Sequence, residues 1–364
     1  MKGLYIHIPF CSSICSYCDF PKMVAKESTK HEYLAYVLKE LEAYKSDLFS
    51  IRSVYIGGGT PNSLSDADLE ELFKALQPYF EESKENTMEI NSELFSKHQA
   101  ELFKAYGINR VSIGVQTLQP KLISAIQRKH TKSLVFQAIK WLLEVGITNI
   151  NIDMMYGLPG QTLQDVKKDV EEVLALPIAH ISYYSLILEE KTILHYQLKH
   201  NQISIPDDDL VADMAIYITQ ALEKNQFKQY EISNYARIGS ESIHNLGYWN
   251  CEEYIGVGAS ACGYLHSRRY KNQSILSRYY IEPKEEEEVI SLEEAKKEFM
   301  MLGLRKLAGV SISTYYEKFK TYPEEDFELD KLFHLGLLEK EKDIIRIKRD
   351  KILLANLIFE EFVG

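Results

Sequence analysis

Cys11, Cys15 and Cys18 place three of the chain's five cysteines on one short loop, in the stretch YIHIPFCSSICSYCDF that runs from Tyr5 to Phe20. The spacing C-x3-C-x2-C lets three thiolates converge on a metal centre, and thiolates select zinc or iron–sulfur. A structural zinc site is closed and tetrahedral, so it would need a fourth ligand such as His7. A [4Fe–4S] cluster ordinarily takes four cysteines, so three would leave one iron open to a ligand from outside the protein. An odd number of cysteines, three of them clustered, argues against a disulfide framework and for a metal or redox site.

Other residues of chemical interest follow at intervals. Gly57-Gly58-Gly59-Thr60-Pro61 removes side chains from a turn and lets backbone N–H groups approach a charged ligand, although such a run is also what a tight turn needs. Glu89, Gln116, Arg128 and Asp153 are polar residues that singly could be structural or solvent-facing.

The elements that would position these residues alternate strand and helix. Leu4–Ile8 reads as a strand before a helix at 29–44. Strand 53–56 precedes helix 65–80, opened by Ser65 with Asp68 three later, and strand 87–90 precedes helix 97–106. Strand 110–115 is followed by helical stretches within 121–145, strand 148–155 by helix 163–174, and strand 180–188 by helix 209–222. Six βα units pair in parallel with right-handed crossovers and predict an α/β fold, a partial TIM-like (β/α)6 barrel over residues 1–225; an open doubly wound sheet is the competing architecture. The barrel predicts chemistry just past the C-terminal strand ends, where the cysteines, the glycine run, Glu89, Gln116 and Asp153 fall.

Residues 226–284 read as a loop-rich extension, and the acidic run Glu285 to Glu288 behind Pro283 as an exposed linker. Residues 285–364 read as a small helical, winged-helix-like domain, opened by Ser291 and Glu294 as a capping box. Within it Lys340, Lys342, Arg346, Lys348, Arg349 and Lys351 make a locally basic hairpin, read as a solvated surface or, more boldly, as a contact for an anionic membrane or an acceptor protein.

The cysteine motif after a first strand resembles that of the radical S-adenosylmethionine (SAM) superfamily. The stretches YIHIPFC, GGGTP, RVSIGVQ, NIDMMYGLPGQT and HISYYSLILEE narrow the resemblance to the family of the oxygen-independent coproporphyrinogen III oxidases, over nearly the whole chain. The resemblance implies a radical SAM barrel with a [4Fe–4S] cluster on Cys11, Cys15 and Cys18 and with SAM chelating the open iron. It implies SAM contacts from Tyr5, Tyr17, Gly58, Gly59, Thr60, Glu89, Gln116, Arg128 and Asp153. Ser92 stands where relatives often carry proline, which puts the shape of that loop in question.

Within this family, three features favour the haem-chaperone branch over the decarboxylating oxidase. Phe20 occupies the position where the oxidase has a further cysteine. The first strand starts within five residues of Met1, where the oxidase has a long N-terminal extension. His244-Asn245-Leu246-Gly247-Tyr248-Trp249 matches the H-N-x-x-Y-W motif associated with haem binding. The resemblance therefore implies haem as cargo, His244 as its axial ligand, and Tyr248 and Trp249 flanking the macrocycle, with Cys251 a rival ligand. It also implies acceptor haemoproteins as partners and an electron donor such as a flavodoxin or ferredoxin. The runner-up activity is radical decarboxylation of coproporphyrinogen III to protoporphyrinogen IX; a structural zinc or cluster protein without SAM chemistry ranks third. No catalytic residue is assigned.

Composition bounds these readings. The 364 residues suit one large α/β domain with a small second one, and a hydrophobic fraction of 45% with 26% charged residues is ordinary for a globular protein. A net charge of −11 argues against nucleic acid as the main partner. The opening residues have no basic region leading into an apolar stretch, and no apolar run reaches the ~18 residues of a membrane span, so the expected location is the cytoplasm.

Overall fold

The computed structural model describes residues 2–363, so Met1 and Gly364, the outer limits of the expected domains, lie outside the described residues. Strands β1 (Lys2–Ile8), β2 (Ile51–Gly58), β3 (Glu85–Ile90), β4 (Arg110–Gln116), β5 (Asn149–Tyr156) and β6 (His180–Ser185) pair in sequence order, all parallel. Each is followed by helical crossover chain, as the periodicity predicts, with element ends within a few residues of the expected ones.

A period of two along these strands divides them into two faces. Leu4, Ile6, Ile8, Val54, Ile56, Val111, Ile113, Val115, Ile150, Ile152 and Met154 are all fully buried in one core with helical residues such as Leu34, Val37, Leu72 and Phe73. The alternate positions are polar or glycine: Tyr5, His7, Ser53, Tyr55, Gly57, Glu85, Glu89, Arg110, Ser112, Gly114, Asn151, Asp153, His180 and Ser182. Parallel strands buried on both faces ordinarily read as continuous apolar runs. Here one face is the hydrophobic core and the other lines a polar interior.

The sheet continues beyond the six strands, which the sequence reading did not anticipate. Strand β9 (Tyr254–Val257) pairs parallel with β1, and β10 (Cys262–Leu265), β11 (Arg268–Asn272) and β12 (Lys284–Val289) follow it antiparallel. On the other side β8 (Asn234–Ala236) pairs antiparallel with β6 and β7 (Lys228–Glu231) with β8. The result is one open sheet of twelve strands in the order β12-β11-β10-β9-β1-β2-β3-β4-β5-β6-β8-β7. Two expectations change accordingly. The loop-rich extension is sheet and helix, and the acidic linker is the edge strand β12, so a boundary at residue 284 falls inside an element. Four adjacent carboxylates on an edge strand discourage pairing with another chain, which is why a run resembling a linker suits that place.

A second core of Met300, Leu304, Val310, Ile312, Tyr315, Leu338, Ile345, Ile358 and Phe362 forms the C-terminal module. Its helix Leu292–Gly303 opens with the expected capping box of Ser291 and Glu294, and β13 (Val310–Ser311), β14 (Leu338–Glu341) and β15 (Ile344–Ile347) make a small antiparallel sheet. The basic hairpin is largely neutralised: Arg346 pairs with Glu339 and Glu341 at 2.6 and 2.8 Å, Lys340 with Glu324, and Arg349 with Glu223. Those pairings favour the solvated-surface reading over a membrane contact. Among the described residues no helix is long and apolar enough to cross a membrane.

Glu40, buried in the helix Glu27–Ala43, ties the first βα unit to the extension. Its carboxylate accepts from Gly258 N at 2.8 Å, Asn272 Nδ2 at 2.7 Å and Tyr279 Oη at 2.6 Å. Glu40→Ala leaves three buried donors unpaired and is expected to cost about 3 kcal/mol, read as a lower urea midpoint. An unchanged midpoint would show that the extension does not depend on this carboxylate.

Candidate cofactor site and the adjoining cavity

The cysteine loop is pinned at both ends. Strand β1 presents His7 to the interior, where its Nδ1 meets Tyr5 Oη at 2.9 Å and its Nε2 meets the Pro21 carbonyl at 3.2 Å. Burial lowers the His7 pKa to about 4, so the ring is neutral. Backbone bonds from Cys11 N to Met23 O, Met23 N to Pro9 O and Ser16 N to Ile126 O fix the rest. With both nitrogens engaged, His7 is a loop anchor and not a fourth metal ligand.

All three cysteines are free thiols, each half-buried. The Thr60 hydroxyl donates to Cys11 Sγ at 3.4 Å and Arg128 Nη1 to Cys15 Sγ at 3.7 Å. At Cys11 the Thr60 bond favours the thiolate, while burial pushes the Cys11 and Cys18 thiols up. Among the described residues, the three sulfurs do not gather within 4.8 Å of one another. Tetrahedral zinc with bonds of about 2.3 Å would need them about 3.8 Å apart, so the loop fits a larger, multi-iron centre better than one zinc ion.

The glycine run works through close approach. Gly58 has φ of +116°, and a Cβ there would lie 2.5 Å from the His7 ring; a Cβ on Gly59 would lie 2.9 Å from the Phe10 carbonyl oxygen. The amides of Gly58, Gly59 and Thr60 donate to Glu89, Ile8 and Phe10, so these N–H groups are engaged within the protein, and the Thr60 carbonyl accepts from Ser63 N at 2.8 Å.

Glu89 accepts from Tyr55 Oη at 2.6 Å and Gly58 N at 3.0 Å. Asp153 accepts from Ser112 Oγ and Asn151 Nδ2, both at 2.8 Å. Gln116 ends β4 with φ of +67°, a strained conformation held by the buried Asp169, which accepts from Thr117, Leu118 and Gln119. Arg128 Nη2 donates to Asn91 Oδ1 at 3.0 Å and to the Gly114 carbonyl. Tyr17 packs with Leu122, Ile126, Met155 and Leu158.

Gln116 Oε1 and Arg128 Nε are buried without partners. Around Gly114, a Cβ would come within 3.4 Å of Asn91, Arg128 and Gln116 together. The unpaired Gln116 Oε1 and Arg128 Nε fit a polar ligand with hydroxyl and carboxylate groups. The sequence reading gave no site role to Asn91, whose Nδ2 also donates to Thr60 at 3.0 Å, or to Tyr55. Asn91 exchanges bonds with Asn62 at 3.0 and 3.2 Å, which holds the loop without a proline at Ser92. Inward parity along β2 and β3 was the signal for Tyr55.

The motif helix Ile243–Trp249 plugs the interior, with Glu85 accepting from Ser242 Oγ, Ile243 N and His244 N at its start. His244 is buried, its Nδ1 on Ser53 Oγ and its Nε2 on Tyr248 Oη, each at 2.9 Å, and it stacks on Tyr55 at 5.0 Å. Burial lowers its pKa to about 3. In this arrangement neither nitrogen of His244, the expected haem ligand, is free, and the ring does not reach a cavity large enough for a macrocycle.

Tyr248 and Trp249 do reach one. A cavity of about 410 Å3 is lined by Tyr5 and His7, by Phe20 and Pro21 of the cysteine loop, by Tyr248, Trp249 and Cys251, and by Cys262. A larger cleft of about 1090 Å3, between Tyr156 and Tyr184 at the strand ends and Arg305 and Arg349 of the C-terminal module, has no imidazole or sulfur in its walls.

The Radical SAM superfamily profile matches residues 5–173, and the HemN C-terminal domain profile residues 290–354. The chain is 38% identical to the heme chaperone HemW of Lactococcus lactis, over all of this chain and 97% of that protein. It is 35% identical to the heme chaperone HemW of Bacillus subtilis, over all of both chains. The chain belongs to the HemW family. Its fold is also that of the coproporphyrinogen III oxidase HemN of Escherichia coli, with a TM-score of 0.86 at 22% identity over 99% of this chain and 89% of that one. Membership in the radical SAM superfamily implies a [4Fe–4S] cluster and SAM for the HemW family, and the thiol loop and the unpaired atoms of Gln116 and Arg128 fit both.

Burial raises the Glu89 carboxyl to about 7, and the nearby Asp153 adds to the rise against the Tyr55 and Gly58 bonds. The carboxyl holds its proton below neutrality and loses it above, and a cationic ligand binds the ionised form better. SAM affinity of the cluster-loaded chain, measured by calorimetry, is expected to rise about tenfold from pH 6 to 8, with Glu89→Gln flattening the slope. A slope that survives the substitution would assign it to another group.

Proposed function

We propose that the chain is a haem chaperone, binding haem in the 410 Å3 cavity and handing it to acceptor haemoproteins, with a [4Fe–4S] cluster on Cys11, Cys15 and Cys18 and SAM beside it. The observation that carries this reading is the shared wall: Phe20 and Pro21 end the cysteine loop and also line the cavity that receives Tyr248 and Trp249. Phe20, 64% exposed, puts an apolar surface where the decarboxylating relatives have a further cysteine. The family's chaperone names and the aromatic walls support haem over a small polar substrate.

With SAM on its open iron, such a cluster supplies one-electron reductive cleavage of SAM to a 5′-deoxyadenosyl radical. This chain's residues hold and orient: Gly58 and Gly59 by backbone, Glu89 and Asp153 by carboxylate toward ammonium and hydroxyl groups, Arg128 toward a carboxylate, and Tyr5, Tyr17, Thr60 and Gln116 around them. The reading sets the protein in the cytoplasm with a flavodoxin- or ferredoxin-like donor.

The test is an anaerobic, cluster-reconstituted preparation assayed for haem uptake by absorption, for transfer to an apo-haemoprotein, and for conversion of coproporphyrinogen III. Haem uptake and transfer without turnover is the expected result, and protoporphyrinogen IX formation would overturn it. Trp249→Ala is expected to weaken haem binding about tenfold, equal to the ~1.4 kcal/mol of a large aromatic contact. Unaltered binding by that variant would move the site away from this cavity.

A further inference from the structure

The floor of the cavity is one face of four neighbouring strands. Tyr5 and His7 of β1, Tyr254 of β9, Cys262 and Tyr264 of β10 and Arg269 of β11 stand on that face. Three strand spacings of about 4.8 Å separate β1 from β11, so the floor runs about 14 Å from one end to the other.

The two ends differ in character. At the β1 end the cysteine loop meets the floor, where His7 Nε2 bonds the Pro21 carbonyl at 3.2 Å and the neighbouring Phe20 adds an exposed ring. Burial keeps His7 neutral, so the residues lining this end are uncharged. At the β11 end Arg269 is engaged twice, in its bidentate pair with Glu298 at 2.6 and 2.8 Å and over the Tyr264 ring at 6.0 Å. Lys318, of the helix Ile312–Phe319, joins it there. Its ammonium lies 5.2 Å from the ring of Phe299, the residue after Glu298, and Lys318, Glu298 and Arg269 all act electrostatically on Cys251. The other carboxylate of the walls, Glu252, accepts from Arg52 at 3.0 Å. Among the described residues the walls thus hold two cations, Arg269 and Lys318, and two carboxylates, and of these four only Lys318 is in no ion pair.

An uncompensated positive charge at one end of an otherwise neutral, aromatic-walled cavity favours an anion carried on an apolar body. Haem distributes its charge in that way, with two propionates on one edge of a flat, apolar macrocycle. Resting on the reading that this cavity takes haem, we propose that Lys318 pairs with a haem propionate and so sets the direction of the cargo, its carboxylate edge toward the C-terminal module and its apolar edge toward the cysteine loop.

The test compares haemin with haemin dimethyl ester, whose propionates carry no charge, by absorption titration of the full-length, cluster-reconstituted chain. The unaltered chain is expected to bind haemin about fivefold more tightly than the ester, the factor of one partly exposed ion pair. Lys318→Met, which keeps an apolar stem against Phe299 and is checked for folding by circular dichroism, is expected to bind both ligands as weakly as the unaltered chain binds the ester. Lys318→Arg is expected to keep the preference. Phe20→Lys is expected to weaken both ligands alike, and a gained preference for haemin in that variant would place the propionates at the cysteine-loop end and overturn the direction. Equal binding of the two ligands by the unaltered chain, or a preference that survives Lys318→Met, overturns the assignment while leaving the chaperone reading intact. Uptake of neither ligand by the unaltered chain overturns the chaperone reading and this assignment with it.

Discussion

The structure depends on a single constraint: alternate positions of six parallel strands are polar and face a common interior. Buried polar groups are costly unless paired. The interior therefore has to be a connected set of hydrogen bonds, and much of it is. Glu85 gathers three donors from the motif helix, His180 sits between Asn151 and Tyr230, and Asn151 and Ser112 converge on Asp153. Toward the C-terminal strand ends the pairing is incomplete at Gln116 and Arg128, and that is where a polar ligand has something to satisfy.

The same network accounts for where the motif histidine packs. His244 stacks on Tyr55, and Tyr55 donates to Glu89 at 2.6 Å, so the motif helix and the cofactor-side carboxylate share one tyrosine. Pulling His244 out to meet iron would break its bonds to Ser53 and Tyr248 and unseat a wall of the Glu89 site. Tyr248 is the motif residue in contact with both regions, bonded to His244 on one side and facing the cavity on the other.

The barrel and its strand-end site were legible in the sequence because each rests on local information. Leu4, Ile6 and Ile8 alternate with Tyr5 and His7, and the cysteine spacing and the GGGTP turn lie in continuous chain. What was not legible depends on register across distant segments. Strands β9 to β12 are short, and their partners are fixed by β1, some 250 residues away, so they carry little periodicity of their own. The Glu285 to Glu288 run reads as a linker because an edge strand facing water on both sides loses the alternation that marks a buried one. The packing of His244 was not legible for a related reason: a motif gives residue types, whereas the face on which a ring packs is decided by Gly3, Ser53 and Tyr55 from other strands.

The cavity shows how separate stretches of chain make one site. Its floor and the motif wall come from residues between 248 and 269, which lie beyond the six-stranded core and before the C-terminal module. The core contributes β1 and the end of the cysteine loop. The module contributes Glu298, whose bidentate pairing with Arg269 at 2.6 and 2.8 Å fastens it to the floor, and Arg305, which covers Trp249 at 4.4 Å. Its bidentate geometry gives this partly exposed pair more hold than a single-point surface ion pair has, yet it is one contact that crosses the cavity rim. The radical SAM barrel thus supplies the cofactor chemistry, and the segment between barrel and module extends the polar, interior face of the same sheet into a place for cargo.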